Sequence, residues 1–426
     1  MSINRKYYIP FFIVFWFFTI IGSSLYIGSS MFSIRNLLFP LLVVLIYFLK
    51  DTPLKKSQII IFAPLGLLFL YGTFSLFLSG SIDMEIIKDY FYFSFIPVLF
   101  LSIMLLANSF KEQFFESMAR YAHYLLYFLF AWMMFELFTD IHLPVHTPNR
   151  FHIPSTFFTN ANDLSVIVIQ LFMIISVLKK RDEPQWRYTL AFFLSFIVVF
   201  ITMSRLALLS FVIISIFIFL SKSYRWKDLI INVIVIGLTL TYLSFDLPNP
   251  RTSKSIIDRS KTRVILIKDI DYSSLESIDE SSSDTFTQLT DENKDTTFSS
   301  SRIRFDIYSI PLRQPDKFIF GYGFNSDKEI ITRYRTIPHK IINSHSFFIQ
   351  LIFYFGWIGF ILMVLFFGIL GFYTLLHIKT RAFFIPVIIT QALLLNVPSS
   401  VMRFPLVWIP FFIAIAYYTN LNNKHR

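Results

Sequence analysis

Four short polar runs in a largely apolar chain each hold residue types that could do chemistry. The most informative reads Asn343-Ser344-His345-Ser346, followed by an apolar stretch to Gly356-Trp357-Ile358-Gly359. An imidazole with a reference pKa near 6.5 stays largely neutral at about pH 7 and can accept a proton from a hydroxyl. At the mouth of a spanning helix, a lone His is more often a capping or interface residue. Gly356 and Gly359 share one helical face and would permit close helix packing. The second run is Ser204-Arg205. A guanidinium forks onto phosphate oxygens, and the plain alternative is an arginine snorkelling at an interface. The third, Ser301-Arg302-Ile303-Arg304-Phe305-Asp306-Ile307-Tyr308, sets two cations ahead of a short helix expected to end at Pro311; a solvated loop helix reads the same way. The fourth, Phe157-Phe158-Thr159-Asn160-Ala161-Asn162-Asp163, opens an apolar run. Asn or Asp there is what a helix start requires, with Asn162 as a candidate site-lining residue.

The elements that must position these groups are membrane helices. Hydrophobic residues make up 55% of the 426-residue chain and charged residues 15%, against roughly 25% charged in an average soluble domain. The apolar residues come in long blocks, and about 20 of them suffice to cross a hydrocarbon core. Twelve spans are expected, near 7–27, 34–49, 59–79, 89–107, 121–139, 161–178, 188–203, 205–221, 229–245, 345–376, 383–398 and 404–419. The stretch 188–221 is too long for one crossing and carries Arg205 at its centre, where insertion would cost about 2.5–3.5 kcal/mol. Folding it into a hairpin with Arg205 at the turn removes that cost. The stretch 345–376, polar only at its front, is expected to be one tilted helix that begins above the membrane. The first block lacks a small-residue cleavage site and reads as a permanent helix.

Charge sets the orientation. With the N-terminus inside, the inner segments hold 18 Lys and Arg residues, the short outer segments 5 and the one long loop 15. Long loops cross largely regardless of charge, so 18 against 5 places both termini in the cytoplasm and the 246–340 loop outside. The chain then divides into spans one to nine (1–245), the loop (246–340) and spans ten to twelve (341–426). Within the loop, 271–300 is Ser-, Thr- and acid-rich and is expected to be disordered. The formal net charge of +11 follows this topology and gives no reason to expect nucleic acid as a partner. With no cysteine, disulfides and thiolate metal sites are excluded. The sequence has no phosphate loop of the G-x-x-x-x-G-K-[ST] type, no H-E-x-x-H zinc helix and no G-x-S-x-G elbow. No metal site is expected, and Asp306 is the lone acidic candidate in the loop.

In this order and topology the four runs resemble the O-antigen ligase and polymerase superfamily of bacterial envelope glycosyltransferases. The strongest match is the pattern H-[NSQ]-x9-G-x-x-[GTY], read here as His345-Ser346, nine residues, then Gly356-Trp357-Ile358-Gly359. The family's Ser-Arg turn matches Thr202-Met203-Ser204-Arg205, and its asparagine helix start matches Asn160-Ala161-Asn162. Its loop pattern of Arg, an aromatic four residues on, Pro and G-x-G matches Arg304, Tyr308, Pro315 and Gly321-Tyr322-Gly323. Arg302 is an alternative to Arg304, because loop lengths vary, and the Pro-to-Gly spacing is longer here than is usual. The resemblance covers about residues 155–400; the first five spans match only in hydropathy.

The resemblance implies a reaction at the outer face of the bacterial cytoplasmic membrane, without nucleotide sugar, metal or other cofactor. The donor would be an oligosaccharide on a polyprenyl pyrophosphate and the acceptor a hydroxyl of a glycan, lipid or protein, with a chain-length regulator as an optional partner. His345 would act as base, Arg205 with Arg304 or Arg302 would hold the pyrophosphate, and Asn160, Asn162, Ser346, Gly356, Gly359 and Tyr308 would shape the site. A groove facing membrane lipid would hold the polyprenyl chain. A polymerase for O-antigen or capsule-type repeats is the first expectation. A ligase delivering finished glycan, a lipid-linked oligosaccharide flippase, and a structural or sensory protein whose acidic-serine loop binds partners stand as alternatives.

Overall fold

The structure is a computed structural model, and it describes residues 5–22, 26–27, 32–33, 38–78, 83–139, 141, 154–158, 160–179, 184–202, 204–220, 234, 237, 296–336, 344, 346–377, 383–398 and 404–421. Their regular secondary structure is helical apart from a two-stranded antiparallel pair, Tyr26–Ile27 with Phe32–Ser33. The helices are α1 (Tyr8–Ile21), α2 (Phe39–Phe48), α3 (Lys56–Leu78), α4 (Met84–Phe110), α5 (Glu112–Thr139), α6 (Ala161–Val177), α7 (Gln185–Thr202), α8 (Arg205–Leu220), α9 (Thr296–Arg313), α10 (Asp327–Tyr334), α11 (Phe347–Leu376), α12 (Phe384–Leu394) and α13 (Ile409–Asn420). Apolar side chains in lipid leave the backbone no water to bond, so each run closes its hydrogen bonds within a helix. Two of the helix starts are capped by side chains in this way: the Asp83 carboxylate accepts from Ile86 N at 2.7 Å, and the Asn160 side chain accepts from Asn162 N at 2.9 Å.

Among the described residues five helices are long and apolar enough to cross a membrane: Lys56–Phe77, Met84–Phe110, Glu112–Thr139, Gln185–Thr202 and Phe347–Leu376. Several others expected as spans are shorter, α1 at 14 residues, α2 at 10 and α12 at 11. The expected span 229–245 lies outside the described residues except for two positions, and so does the loop up to residue 295. The stretch 188–221 is split into α7 and α8, which meet at Ser204. Their Phe192 and Phe211 rings are 5.2 Å apart, so the two helices run antiparallel.

α6 forms the axis of the bundle: of residues 161–175, all but Asn162 are buried. One end of the bundle is marked by a knot of amides. Gln58 Nε2 donates to Asn108 Oδ1 and Thr419 Oγ1, both at 3.1 Å, and Lys55 Nζ donates to Asn420 Oδ1 at 2.6 Å. The Tyr8 ring packs on Phe110, 6.3 Å away, so the first and last described helices share this end. The opposite end carries the α3–α4 connection and the turn at 154–158. There Glu136, 1% exposed, accepts Ser155 N at 3.1 Å, Thr156 N at 2.8 Å and Trp132 Nε1 at 3.3 Å.

Three sequence expectations need correcting. Pro311 does not end its helix: α9 continues to Arg313, with Pro311 inside its last turn. α9 also begins at Thr296, so 296–300 are ordered as helix, although 271–300 was expected to be disordered; 271–295 lie outside the described residues. The third concerns α11, which is not one tilted helix. Gly356 has φ 66° and ψ −165°, a conformation that breaks the helical ladder. The Phe348 ring lies 6.1 Å from Phe360 and 6.3 Å from Phe367. At 1.5 Å rise per residue a continuous helix would hold residues 348 and 367 about 28 Å apart. Residues 347–355 therefore fold back antiparallel to 357–376 as a re-entrant half-helix with Gly356 at the tip.

Candidate functional site

The tip of this hairpin is held by backbone. Segment 319–323 lies against it, with Tyr322 N donating to Phe353 O at 2.8 Å and Gly323 N to Tyr354 O at 3.0 Å. These bonds satisfy carbonyls that the break at Gly356 leaves without helical partners. A Cβ on Gly321 would meet Gly356 N and Tyr354 O at 2.5 Å, and one on Gly356 would collide with Ile319 O. The G-Y-G run and the first glycine of G-x-x-G are thus two sides of one junction. Gly356 was read as a small residue for helix packing; its positive φ and its contact with Gly321 give it a different task. Gly359 sits on the second half, where an added Cβ would strike the Phe355 side chain and come within 3.5 Å of Leu68 Cδ1, nearer to the packing role expected of it.

The clamp belongs to a small module, 296–336. Asp306, 3% exposed, accepts from Arg313 Nη1 at 2.9 Å, from Thr336 N at 3.0 Å and from the Thr336 hydroxyl. Arg313 Nη2 also donates to Tyr334 O at 3.1 Å. The lone acidic candidate of the loop is thus engaged in holding α9 to the end of α10. Phe318, Tyr322 and Tyr334 pack together, and Phe318 stacks toward Phe353 at 5.8 Å, tying the module to the half-helix. Arg304 is exposed on α9. Tyr308, one turn on, is half-buried; burial pushes its phenol up, and Arg304 pulls partly against this. The side chain of Arg302 lies outside the described residues.

The other end of the half-helix starts inside the bundle, about 12 Å along the axis from Gly356. His345 itself lies outside the described residues. Its neighbours Ser344 and Ser346 are 1% and 6% exposed, so the start of the half-helix is covered by the rest of the bundle. Ser346 donates to Asn396 Oδ1 at 2.5 Å, Phe347 N donates to Leu395 O at 3.1 Å, and the Phe347 ring packs on Trp408 at 5.4 Å.

Arg205 reaches the same level from another direction. It opens α8, which packs along α12. Gln170 Nε2 donates to Gln391 Oε1 at 2.8 Å, while Phe172 packs on Phe211 at 5.4 Å, so Gln391 and Phe211 share a level on α6. From there Arg205 and Asn396 lie roughly 9 Å and 7–8 Å toward the end that carries the loop module. Arg205 is exposed and Ser204 buried. The starts of α6 and α8 point toward that end, and their partial positive charge favours an anion there, whereas the half-helix runs the other way and ends there at Gly356. Asn160 caps α6; Asn162 is the half-buried residue of its first turn.

Sequence reasoning missed two features. Asp89, expected at the first position of a span, lies a turn inside α4 and is fully buried, accepting the Tyr354 hydroxyl at 2.9 Å. Gln170 and Gln391 both donate to Val407 O, at 2.5 Å and 3.1 Å, in the bundle interior. Isolated polar letters inside apolar runs were the available signal. Among the described residues no group of three or more His, Asp or Glu is placed to hold a metal ion.

Long apolar helices with a buried polar interior and an arginine at a helical hairpin define an integral membrane protein. The O-antigen ligase family model matches residues 190–364 of the chain. The match contains Ser204, Arg205, α9, the G-Y-G clamp and the whole His345-to-Gly359 motif. No curated protein matches the chain. The family implies an enzyme of ligase or polymerase type, working on lipid-linked glycans in general.

Proposed function

We propose that the protein is a glycosyltransferase of the outer face of the bacterial cytoplasmic membrane, joining polysaccharide repeat units carried on polyprenyl pyrophosphate. The observation that carries this reading is the single family match over 190–364, which contains the arginine turn and the histidine motif together. The chain would cross the membrane twelve times with both termini in the cytoplasm and the 246–340 loop outside. The 18-to-5 bias of Lys and Arg and the shared end of α1 and α13 support that arrangement.

In the reaction the acceptor hydroxyl oxygen attacks the anomeric carbon of the donor glycan. The bond from that carbon to the pyrophosphate oxygen breaks, and the pyrophosphate leaves with the electron pair. His345 takes the hydroxyl proton, and one-step displacement inverts the anomeric carbon. Arg205, with Arg304 or Arg302, holds the leaving group by charge-assisted bonds that strengthen as its charge grows. Helix starts aimed at the same end add to that field. No metal or nucleotide takes part in this scheme, because the lipid carrier supplies the activated bond.

A ligase delivering finished chains would use the same residues, and the matching model carries that description. Deleting the gene separates the two. Loss of a polymerase leaves single repeats attached to the acceptor, whereas loss of a ligase leaves none. Unchanged polymer in the deletion strain sinks both.

A further inference from the structure

We infer that Asp89 and Tyr354 are positioning residues: a carboxylate on α4 anchors the re-entrant half-helix and so fixes where the Ser344–Ser346 segment, with His345 in it, stands. This rests on the glycosyltransferase reading of that segment.

The half-helix is nine residues long, and at Gly356 its ladder to the second half is broken. Its axis is therefore set by lateral attachments and not by continuation of a helix. Ser346 and Phe347 are held at one end and the carbonyls of Phe353 and Tyr354 at the other. Between these ends runs a buried polar chain. Gln350 Nε2 donates to Tyr354 Oη at 3.1 Å, and that hydroxyl donates to Asp89 Oδ2 at 2.9 Å. Asp89, Gln350 and Tyr354 are 0%, 2% and 2% exposed. Around them are rings: Phe324 lies 5.7 Å from Tyr354, and Phe93 lies 5.0 Å from Phe355.

A carboxylate among membrane helices costs several kcal/mol to bury, and such residues mark function. Packing alone would be served by an apolar side chain at position 89. The hydroxyl bond adds what packing lacks, a fixed rotation of the half-helix about its own axis. Gln350 sits one turn from Ser346 and Gln350 N donates to Ser346 O at 2.9 Å, so that rotation is passed to the segment carrying the candidate base.

The experiment uses full-length protein in nanodiscs and, as probe, the lipid-linked oligosaccharide fraction extracted from a strain lacking this chain. Turnover and donor dependence are measured per monodisperse folded molecule. Tyr354→Phe and Asp89→Leu are expected to lower kcat by about 10- to 100-fold, the scale of an ångström's misplacement, with donor KM within about threefold. Asp89→Asn keeps an oxygen for the Tyr354 hydroxyl and should recover most of the loss. If Tyr354→Phe turns over at the wild-type rate, or Asp89→Asn is as impaired as Asp89→Leu, the positioning role is overturned. Tyr354→Phe removes one atom, so the inference stays exposed to refutation even where Asp89→Leu fails to fold. His345→Ala in the same assay reports on the parent reading: an active His345→Ala protein defeats the glycosyltransferase scheme, while an inactive one beside an active Tyr354→Phe defeats only the anchor.

Discussion

The rings of Phe348 and Phe367 lie 6.3 Å apart although nineteen residues separate them within one apolar run. This pairing makes α11 a hairpin, brings its first residue into the bundle interior, and turns a motif that reads as linear into two motifs facing one another. Each prediction below depends on that arrangement or on the cations around it.

His345→Ala is expected to abolish polymer while membrane insertion stays normal. General-base help is worth roughly 100- to 10,000-fold, so residual synthesis should fall below ordinary gel detection. Glycan gels alongside immunoblots of the membrane fraction check this, and normal polymer with normal protein would remove His345 from the chemistry.

Arg205→Ala should slow transfer by about 100-fold or more, the scale for losing a donor to developing charge. Arg205→Lys should fall between the two, because an ammonium keeps the charge and loses the fork. Arg205 is exposed, so melting temperature should hardly move in either variant. A lysine variant as slow as the alanine one would assign the effect to shape and not to charge.

Gly321→Ala and Gly323→Ala provide a matched pair for the clamp. Both residues have positive φ, 76° and 86°, which costs a side chain about 1–2 kcal/mol. The Gly321 Cβ would also strike backbone of the hairpin at 2.5 Å, whereas the Gly323 Cβ would meet only Ser75 Oγ at 3.9 Å. Thermal unfolding in detergent should show Gly321→Ala losing clearly more stability, on the order of 3 kcal/mol or more. Equal losses would argue that the junction is not tight.

Tyr322 gives a pH prediction. Burial, together with the Tyr334 hydroxyl 3.1 Å away, holds its phenol up at about 12 against an ordinary 10. Below pH 10 the folded and unfolded chains are both protonated here, and the contribution to stability is complete. Between pH 10 and 12 only the unfolded chain gives up its proton, so stability falls, and it is lost as pH passes the folded value. Melting curves of wild type minus Tyr322→Phe should diverge over that interval and stay parallel from pH 6 to 9. Divergence near neutrality would contradict the placement of this pair.

Much of the fold was legible because lipid imposes a simple rule on apolar length. The turn at Ser204-Arg205 followed from the cost of a central arginine, and α7 and α8 part there. The Asn160 cap was readable from one letter before an apolar run. What the letters hid is long-range. Gly356 looks like any small residue on a helix face, and only its approach to Gly321 shows that it needs positive φ. Residues 347–355 are as apolar as 357–376, so hydropathy fuses the two halves. Asp89 was read as an end residue because hydropathy counts charge and is blind to Tyr354, 265 positions away. Asp306 stood as the lone acidic candidate of the loop because its partners Arg313 and Thr336 are chosen by the fold of the module.

The half-helix has one more consequence. Its starting residue sits about 12 Å beneath the tip at Gly356, with α12 on one side and the module 296–336 over the other end. If a sugar polymer is brought to the Ser344–Ser346 segment, the packing of Phe347 against Leu395 and Trp408 would favour entry by its terminus over approach by its flank. Under the proposed reading, growth would be confined to chain ends and branching along the strand disfavoured by shape alone.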